Sequence, residues 1–260
     1  MKPRTRSKPR LQPTVSRTST IKSRTTMKKL QRFAITANLV WAGWVYGAAS
    51  VQTFDEAGHL GAPYRYQVRT VSTEPEGTKL PAFILCHGTG GGNKSFPPED
   101  KEIEWQKALS QNGDSYYFFA PKNGQKSGSL SVDGLEQFIA HVVANYDVDP
   151  KRITIAGYSA GSGAVTGITV NKGHLIKSAL VIEGGFRGEV PADHTLKDLP
   201  IWVFHNKDDQ RVALERGESY VNKARAAGAK VNFTINPDGE HKIQVLRNIT
   251  PEVVTWIFAK

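Results

Sequence analysis

A chain of 260 residues, 39% hydrophobic and 9% aromatic, is ordinary globular material with enough apolar residues for one α/β domain or two small ones. Its formal net charge of +10 is not spread along it: residues 1–32 hold 11 of the 34 basic residues and no acid, which leaves 23 against 24 acidic residues beyond, and that balance gives no electrostatic case for DNA or RNA. The single cysteine, Cys86, excludes an intramolecular disulfide.

Residues 1–26 are rich in Lys, Arg, Ser, Thr and Pro, a composition that predicts disorder. Residues 27–50 have a basic start at Met27, an apolar centre over 33–46 and the small residues Gly47, Ala48, Ala49 and Ser50. That pattern predicts a secretory signal peptide beginning at Met27 and cut near Ala49 or Ser50, hence a secreted or periplasmic protein. The apolar centre is short for a spanning helix and contains Thr36 and Asn38, although an uncleaved anchor touching the membrane and an organellar transit peptide are alternative readings.

Residues 51–260 read as one domain. Strands are predicted at 64–72, 80–86, 115–120, 153–156, 178–182, 199–205 and 230–235, and helices at 101–112, 132–146, from the turn after 159 to about 170, 212–227 and 251–259. The stretch 145–152 reads as a helix end and loop. Strands that alternate with helices predict an α/β fold, a mainly parallel twisted sheet covered on both faces.

The sharpest motif is ITIAGYSAGSGAV, residues 153–165. Gly157, Tyr158, Ser159, Ala160 and Gly161 give Gly-x-Ser-x-Gly between a strand and a helix, where so tight a turn demands small residues two before and two after the serine. The turn raises the Ser159 hydroxyl clear of the backbone and beside free helix N–H groups, so Ser159 is the candidate nucleophile. A serine needs a base, and the base an orienting acid. After later strands come Asp208 and Asp209, then His241, in the order Ser, Asp, His; Glu183, after the strand 178–182, is a third acid candidate. Upstream, the strand 80–86 opens into His87 and a glycine-rich loop, Gly88 to Gly92, whose backbone N–H groups can approach an oxyanion. His87 is expected to pin that loop. The remaining histidines show no metal-ligand spacing, and no Gly-Lys-Ser/Thr follows the glycines, so neither a metal nor a cofactor is expected.

Together the segments CHGTGGG, DVDPKRITIAGYSAGSG, VFHNKDDQRV and PDGEH resemble the α/β-hydrolase superfamily, from about Leu80 to the C-terminus. The nearest likeness is to dienelactone-hydrolase-like, feruloyl-esterase-like and polyhydroxybutyrate-depolymerase-like esterases, which overlap with the peptidase family containing prolyl oligopeptidase. The resemblance implies an ester hydrolase with Ser159 as nucleophile, Asp209 as acid, His241 as base, and the Thr89 and Ala160 amides as oxyanion hole. It selects Asp209 over Asp208 because the pattern His-Gly-x-x-Asp-x-x-Val aligns His205, Asp209 and Val212. Asn206 replaces the usual glycine of that pattern, and Ser162 stands where depolymerase-like members commonly carry glycine. The connection between the strands 178–182 and 199–205 is too short for a large lid, so the site should be open to small-molecule or polymer-linked esters. Tyr158 and Gly90 are the candidate substrate contacts, and Trp105, Tyr116, Tyr117 and Phe186 are further aromatics available to line a cleft.

Overall fold

A computed structural model describes residues 50–54, 64–89, 99–122 and 129–259; the basic stretch 1–26, residues 27–49 of the expected signal peptide, and Gly90 lie outside them. The chain forms β1 (Ser50–Phe54), β2 (Tyr64–Val71), β3 (Leu80–Cys86), α1 (Glu99–Leu109), β4 (Tyr116–Lys122), α2 (Val132–Asn145) and β5 (Val148–Tyr158). After these come α3 (Gly161–Asn171), β6 (Ser178–Ile182), β7 (Pro200–Asn206), α4 (Leu214–Ala226), β8 (Lys230–Asn236), α5 (Val245–Asn248) and α6 (Pro251–Phe258). The strands make one eight-stranded sheet in the order β1, β2, β4, β3, β5, β6, β7, β8, with β1/β2 and β2/β4 antiparallel and the rest parallel.

The continuous apolar strands are apolar because both faces are covered. Ala82, Ile84 and Cys86 of β3, Ile153 and Ile155 of β5, Ala179 and Val181 of β6, and Ile201 and Val203 of β7 share one core with residues of α2, α3 and α4. Their neighbours Phe83, Leu85, Ala156, Leu180, Ile182 and Phe204 point the other way, into a core with residues of α1, α5 and α6. Each fully buried Leu, Ile, Val or Phe contributes roughly 1.5–3 kcal/mol, so a one-residue slip of a central strand would be very costly. Cys86 lies fully buried in this interior, and burial pushes its thiol up to about 12.

From β3 the chain crosses through α1 on one face to β4, then returns through α2 on the other face to β5. That reversal opens a crevice at the carboxyl ends of β3 and β5, where sheets of this kind place their ligands. No helix or strand interrupts the connection from Ile182 to Pro200. The one marked departure among the predicted strands is β5, which starts at Val148. Val148 pairs with Leu80, and the register then shifts before Ala82 meets Ile153, so the intervening residues, Pro150 without an N–H among them, pass as an irregularity in an extended strand. Among the described residues no helix is long and apolar enough to cross a membrane.

Candidate active site

Ser159 stands at the turn from β5 into α3 with φ 52°, a left-handed conformation that an L-residue adopts only at some cost. The two glycines around it are steric necessities. A Cβ on Gly157 would lie 2.5 Å from the Gly161 carbonyl oxygen and 2.7 Å from Val165 Cγ2, and one on Gly161 would lie 2.5 Å from the carbonyl oxygens of both Cys86 and His87. The Ser159 N–H donates to the Ile182 carbonyl (2.9 Å), tying the turn to β6. Ser162 donates to the Ser159 carbonyl from its amide (3.0 Å) and its hydroxyl (2.5 Å), so the hydroxyl at this position closes the first turn of α3.

His241, in the loop after β8, brings Nε2 to 2.8 Å from Ser159 Oγ, and its Nδ1 lies 2.7 Å from Asp209 Oδ2. A carboxylate only accepts, so Nδ1 carries a proton and Nε2 of the neutral ring presents its lone pair to the serine hydroxyl. Asp209 is 5% exposed, and its other oxygen accepts from the amides of Arg211 (2.8 Å) and Val212 (2.9 Å). Burial alone would raise the Asp209 carboxyl, but hydrogen bonds from Glu183, His241 and those two amides outweigh it and hold the group below its ordinary value. Tyr158 stacks on the His241 ring (centroids 5.2 Å apart, 30° between planes) and donates its hydroxyl to the His241 carbonyl at 2.7 Å. Besides lining the cleft, it holds the histidine from behind.

Asp208 is engaged elsewhere: its Oδ1 accepts the Glu240 amide at 2.8 Å, bracing the loop that carries His241. Asn206 serves the same loop. Its Nδ2 donates to the carbonyls of Glu240 (2.9 Å) and Lys242 (3.2 Å), while its Oδ1 accepts from Asn236, which also donates to Asn248. A glycine there would give up the bonds to the Glu240 and Lys242 carbonyls and one of the two bonds of the buried Asn236 amide, which is a physical reason for asparagine at this position. His205 is fully buried and donates Nε2–H to the Val212 carbonyl at 2.8 Å, closing the loop around Asp209. Sequence reasoning identified none of these braces.

Glu183, at the end of β6 with φ 51°, is fully buried behind Asp209. Polar atoms of Glu183, His205 and Asp209 all lie within 4.8 Å of one another. This set does not suit a cation. His205 Nε2 donates to Val212, Asp209 is occupied by His241 and two amides, and the Glu183 carboxyl is pushed up to about 9 by burial and then by the adjacent Asp209, so it is neutral at pH 7. As the neutral acid it donates to the Asp209 carboxylate; its Oε2 accepts the Asn206 amide at 3.3 Å.

Just past the end of β3, Gly88 runs against Ser159: a Cβ there would sit 3.1 Å from Tyr158 Cδ1 and 3.2 Å from Ser159 Cβ. His87 fixes this approach by donating Nδ1–H to the Gly88 carbonyl at 2.7 Å, and burial holds its ring below the ordinary histidine range, hence neutral. Thr89 and Ala160 flank Ser159 on the wall of one cleft of about 1110 Å³, and Tyr158, Phe186, Arg187, Arg211, Arg216 and His241 line it as well. Trp105 and Tyr116 do not: both are buried in the α1/α6 core, and Tyr117 packs against Phe119 and Tyr146. Being aromatic suits a residue to either place, and the face on which its strand or helix presents it decides.

No protein-family profile matches this chain, and no curated protein sequence matches it either. Solved structures do. A thermostable esterase aligns at TM-score 0.60 and 22% identity, over 80% of this chain and 59% of its own. A ferulic acid esterase aligns at 0.62 and 18%, over 82% of this chain and 97% of its own. A puromycin-hydrolyzing peptidase from Mycobacterium tuberculosis aligns at 0.64 and 14%, over 82% of this chain and 40% of its own. This chain therefore spans less than two thirds of the first and the last. The likeness shows the α/β-hydrolase fold.

Proposed function

We propose that this α/β-hydrolase fold is a serine hydrolase that cleaves carboxylic esters through an acyl-enzyme intermediate. The observation that carries the reading is the continuous hydrogen-bonded path from Asp209 through His241 to Ser159 at the carboxyl edge of the sheet. His241 Nε2 takes the Ser159 proton as Oγ attacks the ester carbonyl. Asp209 holds the ring and stabilises the imidazolium that forms, and the Thr89 and Ala160 amides receive the charge on the carbonyl oxygen, aided by the positive end of α3. His241 then gives its proton to the leaving alkoxide, and a water activated by the same nitrogen releases the acid. Esterases and peptidases both share this fold, and the ester is our choice between them. The basic start and apolar centre of residues 27–50 support an exported, secreted or periplasmic protein.

The test is labelling of the purified full chain with a fluorophosphonate probe, with turnover of 4-nitrophenyl acetate and butyrate and of aminoacyl 4-nitroanilides in parallel. Wild type should label and hydrolyse the esters. Ser159→Ala should do neither, a loss on the order of 10⁶ in turnover. Faster cleavage of the anilides would instead indicate a peptidase, and a folded wild type that neither labels nor turns over would make the fold a non-catalytic one.

A further inference from the structure

Hydrolysis of a neutral ester asks for no cation beyond the donors of the oxyanion hole, yet the cleft beside Ser159 is lined with them. Arg187 lies in the connection after β6, Arg211 two residues past Asp209, and Arg216 in the first turn of α4. The backbone sets the first and last close together: a Cβ on Gly185 would lie 2.5 Å from the Arg216 carbonyl oxygen, so α4 packs directly on the segment that carries Arg187. Lys242, the fourth cation on the wall, is paired with Glu240 at 2.5 Å, and Glu240 is the acid among the lining residues. Among the described residues no carboxylate or carbonyl takes up the side chain of Arg187, Arg211 or Arg216. Cations nearby but outside the cleft are satisfied: Lys223 pairs with Glu189 at 2.8 Å and Arg247 with Asp238 at 2.8 Å. Bulk composition does not account for the cluster, since beyond residue 32 acids and bases balance.

Arg187, Arg211 and Arg216 line one recess with no acid partner among the described residues; like charges so placed repel each other, and a recess with low-dielectric walls focuses their potential onto whatever enters it. An anion relieves the repulsion. The planar fork of arginine matches a carboxylate with two parallel N–H···O bonds.

We infer that the substrates are anionic esters, in which the acyl or the alcohol part bears a carboxylate held by Arg187, Arg211 and Arg216 while the scissile carbonyl lies at Ser159. This rests on the ester-hydrolase reading. It goes beyond it in substrate class.

The experiment compares matched pairs on the full chain: 4-nitrophenyl valerate with mono-4-nitrophenyl glutarate for charge on the acyl side, and 4-methylphenyl acetate with 4-acetoxybenzoate for charge on the alcohol side. Each rate is divided by that of hydroxide-catalysed hydrolysis, which removes leaving-group effects. One charged member should be preferred in kcat/KM by about tenfold or more, the scale of a charge-assisted hydrogen bond. The preference should shrink as ionic strength rises from about 0.01 M to 0.5 M and the screening length contracts. In Arg187→Gln/Arg216→Gln it should fall towards unity. A wild type that turns over the neutral esters without preferring either charged partner overturns the inference and leaves the hydrolase reading standing; so does a preference indifferent to salt or retained in the double variant. Absence of both ester turnover and fluorophosphonate labelling removes the hydrolase reading and this inference with it.

Discussion

Replacing Glu183 by Gln keeps the size of a buried side chain and its ability to donate to Asp209 while removing its titration. In the folded protein burial, and then the neighbouring Asp209, push the Glu183 carboxyl from an ordinary 4.5 up to about 9. In the unfolded chain it loses its proton near 4.5. Between those limits the unfolded state binds fewer protons than the folded one, so the wild type loses stability as pH rises, by about 1.4 kcal/mol per pH unit for one such group. At pH 7, roughly 2.5 units into the window, this amounts to about 3 kcal/mol, a cost that Glu183→Gln does not carry. All other titrating groups are common to both proteins, so the difference between their stability curves isolates this one. Urea denaturation at about pH 5, 7 and 8.5 should show the variant gaining on the wild type at each step, with ester turnover retained because the amide still donates to Asp209. Curves that run parallel across this range would mean Glu183 is ionised in the folded state, and the account of the pair Glu183 and Asp209 would be wrong.

Asn206→Ala should cost about 1–3 kcal/mol in denaturant unfolding and lower kcat, because it frees the carbonyls of Glu240 and Lys242 and leaves a buried Asn236 donor unpartnered. The two adjacent aspartates should separate in kinetics. Asp209→Asn removes the acceptor that fixes the His241 tautomer and should lower kcat by about 10⁴, whereas Asp208→Asn, which keeps an oxygen for the Glu240 amide, should stay within about tenfold of wild type. Gly161→Ala should prevent normal folding of the turn or cost more than about 3 kcal/mol by thermal unfolding, since its Cβ meets two carbonyl oxygens of the β3 edge rather than a movable side chain.

Local chemistry made much of this protein legible in one dimension. Apolar runs such as 80–86 and 178–182 read as strands because they are too short for a buried helix and suit a sheet covered on both faces, and their alternation with amphipathic segments implies a parallel sheet. The requirement for glycine at 157 and 161 is equally local, set by a turn only a few residues long. The residues just past the end of a strand can also be counted off, and that count brings Asp209 and His241 into view as partners for Ser159.

Contacts between loops far apart in sequence were decided by the tertiary structure. Asp208 and Asp209 are one residue apart and chemically identical, and only the position of the 236–242 loop gives one to Glu240 and the other to His241. The same loop turns Asn206 from an irregularity in a motif into its clamp. Trp105 and Tyr116 are core, and Tyr117 packs against it, rather than cleft because of the faces that α1 and β4 present, and Arg187, Arg211 and Arg216 share one wall because the connection after β6 and the connection after β7 with the start of α4 meet at the same sheet edge. Sequence spacing encodes the reach of a residue along its own strand or helix. Which groups meet across about 30 to 80 intervening residues depends on the path of the whole chain, and a buried carboxyl such as Glu183 acquires its protonation state only from the low-dielectric surroundings that this path creates.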